Sequence, residues 1–182
     1  MAVVAWLPAY YEQLSWGSQN SGALLAWMTL FQVLAALARP ALAQHTRERR
    51  GLLSISLLAQ LMGFAGLLLY PQQLPLLWVA LIGFGLGACF ALSLILSLDH
   101  LQEPRAAGQL AAFVQGIGFL LNVLAPAAGG WLREHTGSFA STWLLMLFCV
   151  ALMLALTQRF SPASYWRISS NRQQPPGSAV PE

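Results

Sequence analysis

Apolar residues run along this chain in long blocks that are separated by short polar connections. An α-helix rises 1.5 Å per residue, so about 20 apolar residues are needed to cross a hydrocarbon core of about 30 Å. Five blocks reach that length. We therefore predict an all-α integral membrane protein, a helical bundle over residues 1–160, with membrane spans at 21–43, 51–71, 76–98, 108–132 and 139–158.

The two ends of the chain do not fit this spacing. The opening stretch MAVVAWLPAYYEQL, residues 1–14, is apolar but too short to span, and we predict a partial helix there. If the connection after it lies outside the cell, this stretch is the outer half of a helix, and we expect the chain to be a piece of a longer one. Residues 161–182 are rich in Pro, Ser and Gln and lack apolar periodicity, which predicts a disordered cytoplasmic tail.

Composition strengthens the membrane assignment and excludes other classes. Hydrophobic residues make up 57% of the 182 residues and charged residues only 8%, against about 25% charged in soluble domains. No basic patch carries interleaved exposed aromatics, so we expect no nucleic-acid partner. A membrane-embedded enzyme would need clustered His, Asp, Glu or Ser/Lys groups. The spans offer none, and we expect no catalytic residues, no metal and no cofactor.

All nine basic side chains are arginines, and they predict the topology. Basic residues gather on the cytoplasmic side of membrane proteins. Eight arginines lie in or beside two connections and the tail, whereas the other three connections hold only Arg133. The sequence therefore predicts a multi-pass protein with a cytoplasmic C-terminus. His45 and His135 would lie on opposite sides of the membrane and cannot share a metal.

Uncharged polar residues within the spans are the candidates for binding a solute. No charged residue lies near the middle of a span. Gln32, Gln115 and Asn122 occupy the middle half of their spans, where transporters bind substrate, and Thr29 shares a helix face with Gln32. Tyr10 lies near the predicted outer end and is a further cavity candidate. For the amides, cavity lining and structural hydrogen bonding both remain open, and Tyr10 could instead belong to an interfacial aromatic belt.

Small residues along the helices are predicted to let helix backbones approach closely. No strand precedes the glycines of GFGLG, so they do not form a dinucleotide-binding loop. The residues assigned to helix packing are Gly83, Gly85, Gly87, Gly118 and Gly129.

Several longer motifs resemble a known family. They are PLLW (75–78), GFGLGACFALSLILSLDH (83–100), AAFVQGIGF (111–119), APAAGGWLR (125–133) and RFSP (159–162). Together they resemble the C-terminal six-helix half of a major facilitator superfamily transporter, in the cyanate permease and nitroimidazole transporter branch, with the first helix incomplete.

The resemblance implies a function and partners. It implies transport of a small solute by alternating access, either a cyanate-like anion or a small weakly polar organic compound, in the bilayer of the bacterial inner membrane. It also implies a missing N-terminal six-helix half as partner. The alternative is that the shortened chain does not transport on its own and depends on that half.

The same resemblance suggests gating residues in the connections. Arg49 and Arg50 match the paired basic residues of the superfamily's loop signature, whereas Pro40 and Gln44 stand where its Gly and Asp would fall. Asp99 and His100, next to Arg105, resemble a loop element of the branch. For Asp99 and His100, a loop-locking pair whose rearrangement accompanies alternating access and a simply solvated helix end remain equal alternatives.

Overall fold

The computed structural model describes residues 2–43, 49–99 and 103–159, which form six α-helices. The helices are α1 (Ala2–Gln13), α2 (Ser18–Ala43), α3 (Arg49–Leu69), α4 (Pro75–Asp99), α5 (Pro104–Thr136) and α6 (Phe139–Arg159). Five of them, α2 to α6, are long and apolar enough to cross a membrane. The prediction of an all-helical membrane protein is confirmed, whereas the tail 161–182 lies outside the described residues.

Helix α5 is longer than the apolar block that predicted it. The block ends at Leu132, but the helix continues through Arg133 and Glu134 to Thr136. It ends at Gly137, which has a φ of 67° and donates its backbone N–H to the Arg133 carbonyl. Glycine adopts this left-handed conformation without steric cost. Hydropathy therefore marks the lipid-facing length, while the glycine fixes the end of the helix.

Helix α4 lies at the centre of the bundle, between α2 and α3. Its glycines make this possible. A Cβ atom at Gly83 would overlap the Met28 carbonyl of α2, and a Cβ at Gly87 would overlap the Gln32 carbonyl. Gly85, on the other side, lies against the Ser56 carbonyl of α3. Backbone therefore packs directly on backbone along both faces of α4.

The other two packing glycines differ from each other. A Cβ at Gly129 on α5 would come within 3.0 Å of the Thr142 methyl carbon and 3.1 Å of the Trp6 indole nitrogen. At Gly118 a Cβ would meet no atom within 4 Å among the described residues. Helix packing at Gly118 therefore stays a prediction, since a Cβ there would touch none of the helices that the structure describes.

Aromatic side chains of α1 hold one end of the bundle together. Tyr11 is fully buried and donates a hydrogen bond to the Pro71 carbonyl at 2.9 Å. Tyr10 donates to the Leu67 carbonyl at 3.0 Å, and its ring centroid lies 5.4 Å from that of Trp143. These contacts place the connections 14–17, 70–74 and 137–138 at the same end, which we call the short-loop end.

Most hydroxyl groups in the helices bond to their own helix. Ser56, Thr29 and Ser97 each donate to the carbonyl four residues earlier, at 2.7–2.9 Å. Ser21, Thr136 and Thr157 do the same. Such bonds satisfy the proton of each hydroxyl close to its own position in the chain.

Candidate functional site

Gln115 is joined to the central helix. Its Nε2 donates to the Ser93 hydroxyl of α4 at 3.2 Å, and Ser93 in turn donates to the Phe90 carbonyl at 2.7 Å. The side chain is half-buried. Gln115 therefore lies at the α4–α5 contact, where the amide both links two helices and keeps part of its surface accessible.

The two candidates on α2 differ in burial. Gln32 is half-buried, and its backbone carbonyl is the atom that faces Gly87 on α4. Thr29 is exposed and donates to the Leu25 carbonyl at 2.9 Å. Gln32 thus lies at the edge of the α2–α4 contact, while the Thr29 hydroxyl is directed back to its own helix.

Asn122 is exposed on α5, in a stretch whose neighbours Leu121 and Val123 are also exposed. Tyr10 lies apart from all of these residues, at the short-loop end, where it lines a recess of about 230 Å³ with Phe139, Leu68 and other residues. Helix α4 contacts both Gln32, at its backbone carbonyl, and Gln115, at its side-chain amide. Two of the five candidates, Gln32 and Gln115, therefore lie against α4. Tyr10 belongs with Tyr11, Phe139 and Trp143 to an aromatic cluster at the short-loop end.

The aromatic residues of α1, among them Tyr10, which was predicted either to line a cavity or to belong to an interfacial belt, pack largely within the bundle. Tyr11 is buried inside the bundle, and Trp6 and Tyr10 are half-buried. The Trp6 indole nitrogen donates to the Pro126 carbonyl of α5 at 3.1 Å. These side chains join α1 to α3, α5 and α6, since each hydroxyl or indole group bonds to another helix or connection.

The gating candidates lie at the other end of the bundle. Arg49 and Arg50 begin α3, Asp99 ends α4, and the exposed Arg105 lies in the first turn of α5. His100 lies outside the described residues. Helix connectivity therefore brings the described candidates to one end, as the sequence predicts, and their role in gating stays a prediction.

A cationic recess at the short-loop end was not identified as a site from the sequence. The Arg133 guanidinium carbon lies 4.3 Å from the Phe139 ring centroid and 5.8 Å from the Trp6 ring. These separations are those of cation–π contacts. The recess beside them measures about 290 Å³ and is lined by Trp6, Gly130, Arg133, Glu134 and Gly137. In the sequence, Arg133 indicated only topology, because Trp6 is distant along the chain and its contact could not be foreseen.

The chain is similar in sequence to several known transport proteins. The chain is 45% identical over 164 residues to the "Cyanate transport protein CynX" of Escherichia coli (strain K12), a match that covers 90% of this chain and 42% of that protein. It is 25% identical over 156 residues to the "Uncharacterized transporter YycB" of Bacillus subtilis (strain 168), with 85% of this chain and 39% of that protein covered.

A third relative matches a shorter stretch of the chain. The "Putative anionic 4-hydroxy-benzoate permease" of Thauera aromatica is 40% identical over 96 residues, which cover 51% of this chain and 56% of that protein. No family model matches the chain, and no solved structure matches it.

The chain spans about two-fifths of the length of the first two relatives, with 42% and 39% covered. The matched length includes most of the six helices, since the cyanate relative aligns with 90% of the chain. The chain is thus homologous to the cyanate transport protein and other membrane transporters of the major facilitator superfamily over about two-fifths of their length.

Proposed function

We propose that this chain is the C-terminal six-helix bundle of an alternating-access transporter for a small solute, namely a small anion. The observation that carries the proposal is the 45% identity to a cyanate transport protein over 90% of the chain. The third relative, from Thauera aromatica, is also named for an anion, 4-hydroxy-benzoate. A weakly polar organic compound is the competing class of solute, and transport assays with both classes distinguish them.

The fold supports a role as one rigid half of such a carrier. Alternating access moves two bundles against each other around a site near the bilayer midplane. Helix α4 packs backbone to backbone on α2 and α3 through Gly83, Gly85 and Gly87, so these three helices would move as one unit. Of the polar candidates, Gln32 lies on that unit and Gln115 lies beside it on α5, where a facing bundle could complete a site.

The chain is proposed to need a second bundle for transport. Reconstituted alone in liposomes, it should give uptake of radiolabelled cyanate or 4-hydroxybenzoate no faster than protein-free liposomes, because a single bundle cannot enclose a solute on both sides. Co-reconstituted with the unmatched part of the cyanate relative, and shown to co-purify with it, the chain should give saturable uptake.

Two outcomes contradict this proposal separately. Solute flux from the chain alone would overturn the need for a partner. A co-purifying assembly without flux of either anion would overturn transport of this solute class, and flux of a neutral nitroimidazole in the same assembly would favour the weakly polar class instead.

Substitution of the amides tests the proposed cavity. Gln115→Leu and Asn122→Leu should each lower uptake by the co-reconstituted assembly by about tenfold or more, since each removes a hydrogen bond to solute worth about 1.5 kcal/mol or more if the solute is charged. Gln158→Leu is the matched control. Gln158 is exposed, bonds to the Ser54 hydroxyl at 2.9 Å and lies outside the proposed cavity.

Ser93→Ala separates the two open roles of Gln115. This variant removes the Ser93 hydroxyl that accepts the Gln115 amide but leaves the amide itself in place. If Ser93→Ala lowers uptake as much as Gln115→Leu does, Gln115 acts by joining α5 to α4. Unchanged uptake in Gln115→Leu and Asn122→Leu, at equal expression, would remove both residues from the cavity.

A further inference from the structure

The geometry points to a second anion site, at the short-loop end of the bundle, formed by Arg133, Trp6 and Phe139. We propose that it takes a small planar monovalent anion, such as an aromatic carboxylate, through the Arg133 guanidinium and the Trp6 ring. The inference deepens the proposed function, because it names where an anionic solute would first be held. It concerns equilibrium binding, however, and its test does not depend on transport.

The position of the guanidinium is fixed by aromatic side chains. Phe139 is only 3% exposed, and its ring centroid lies 6.2 Å from that of Trp6. Trp6 is itself held by its bond to the Pro126 carbonyl. The Arg133 guanidinium carbon lies 4.3 Å from the Phe139 centroid. A guanidinium placed over a ring keeps its edge N–H donors available, and these can bind a carboxylate through two parallel hydrogen bonds.

The recess beside Arg133 has room for such an anion. It measures about 290 Å³, near the lower limit of volumes typical for small-molecule sites. Its floor is formed in part by Gly130, where a Cβ would come within 3.0 Å of the Trp6 ring. The missing side chain therefore brings the α5 backbone close to the indole and leaves the space above it open.

The charge of Arg133 is not neutralised by an ion pair within the described ranges. In the part of the chain that the structure describes, the contacts recorded for the Arg133 side chain are those with the Phe139 and Trp6 rings. The other arginines of α5 and α6, Arg105 and Arg159, lie at the far ends of these two helices. An anion that reaches this end of the bundle therefore has one strong cationic partner.

Two features of the recess should weaken the binding of an anion, and the effect of the first on the affinity can be measured. Glu134 lines the same recess, and the C-terminal end of α5 carries the negative end of the helix dipole. A residue that only stabilises this helix end would also be basic, so the alternative is that Arg133 interacts with the dipole alone. In that case an anion would not bind, and removing the Glu134 charge would change nothing.

The test follows the Trp6 indole N–H signal by NMR in the detergent-solubilised chain, labelled with ¹⁵N in its tryptophan side chains. The signal is assigned by its loss in Trp6→Phe. The probe is sodium 4-hydroxybenzoate, and the control is 4-hydroxybenzyl alcohol, which has the same ring without the charge. We expect a saturable shift of the Trp6 signal with the carboxylate and none with the alcohol.

Variants connect the shift to Arg133. Arg133→Gln should weaken the apparent affinity by about tenfold or more, as expected for loss of a charge-assisted hydrogen bond. Arg133→Lys should keep part of it, because an ammonium group supplies charge without the two parallel bonds. Glu134→Gln should tighten binding a few-fold. Arg159→Gln, at an exposed position at the opposite end of α6, should leave it unchanged.

The other tryptophan signals report whether each variant keeps its fold. A well-folded chain without a saturable Trp6 shift, or with the same affinity in Arg133→Gln, would overturn the site. Binding to the chain, together with no flux in the co-purifying assembly of both bundles, would leave this site in place and contradict the proposed transport. Flux in that assembly without this binding would overturn the site and leave the proposed transport in place.

Discussion

Gly87→Ala is expected to destabilise the bundle, although alanine is the better helix former. The added methyl group would overlap the Gln32 carbonyl of α2. The neighbour is backbone, which cannot rotate aside, so α2 and α4 must separate. Overpacking of this kind costs about 1–3 kcal/mol, and we expect the upper part of that range. Thermal unfolding of the detergent-solubilised chain, followed by loss of the monodisperse peak in size-exclusion chromatography, measures the effect.

Gly118→Ala is the matched control for this experiment. It makes the same chemical change within a helix, but a Cβ there meets no described atom within 4 Å. Alanine in a helix is favoured over glycine by about 1 kcal/mol, so the unfolding temperature should stay the same or rise. Equal stability of the two variants would contradict the backbone contact between α2 and α4.

Trp143→Ala is expected to be the most damaging substitution in the aromatic cluster. Trp143 is fully buried, and its ring centroid lies 5.4 Å from that of Tyr10 and 6.3 Å from that of Phe64. Removal of a buried tryptophan costs about 3–5 kcal/mol in soluble proteins. We expect the lower end of this range here. Lipid also solvates apolar side chains, so the stabilisation that is lost comes mainly from packing.

Trp143→Phe should destabilise the bundle far less than Trp143→Ala. The Trp143 indole N–H is buried, and it has no hydrogen-bond partner within the part of the chain that the structure describes. A buried donor left unsatisfied costs about 1–3 kcal/mol. Phenylalanine removes that donor and most of its cost while it loses only part of the packing, so the unfolding free energy should change by less than about 1 kcal/mol. A Phe variant as unstable as the Ala variant would show that the indole N–H is satisfied.

The helices were predictable from sequence because membrane spans are specified locally. Each span is a continuous block of apolar residues, and its length alone matches the bilayer. The end of α5 was missed for the same reason. Hydropathy falls at Arg133, where the helix leaves the apolar region, whereas the helix itself ends only at Gly137.

Contacts between helices were predictable only in kind. Glycines in a span indicate close approach, and Gly83, Gly85 and Gly87 do lie against backbone atoms of neighbouring helices. Nothing in the sequence showed that Gly85 faces a different helix from the other two, or that Gly118 faces none that the structure describes. Those facts depend on how each helix is rotated about its axis, which tertiary packing decides.

The candidate sites show the same limit. Gln115 was chosen for its depth in a span, but its bond to Ser93 joins residues of different helices. The cationic recess needed three side chains from α1, α5 and α6 to meet. The sequence does show Arg133 as the single arginine in three connections that otherwise hold no basic residue except His135. That isolation was the available signal.

The self-bonded hydroxyls have a consequence for the electrical behaviour of a membrane that contains this chain. An anion that crosses hydrocarbon needs hydrogen-bond donors to replace its water. Ser56, Thr29 and Ser97 already donate their protons to carbonyls of their own helices, and the helix backbone is hydrogen-bonded within itself. These groups therefore have no proton to spare for an anion such as chloride, and a bilayer holding this bundle by itself should remain as resistive to chloride as plain lipid.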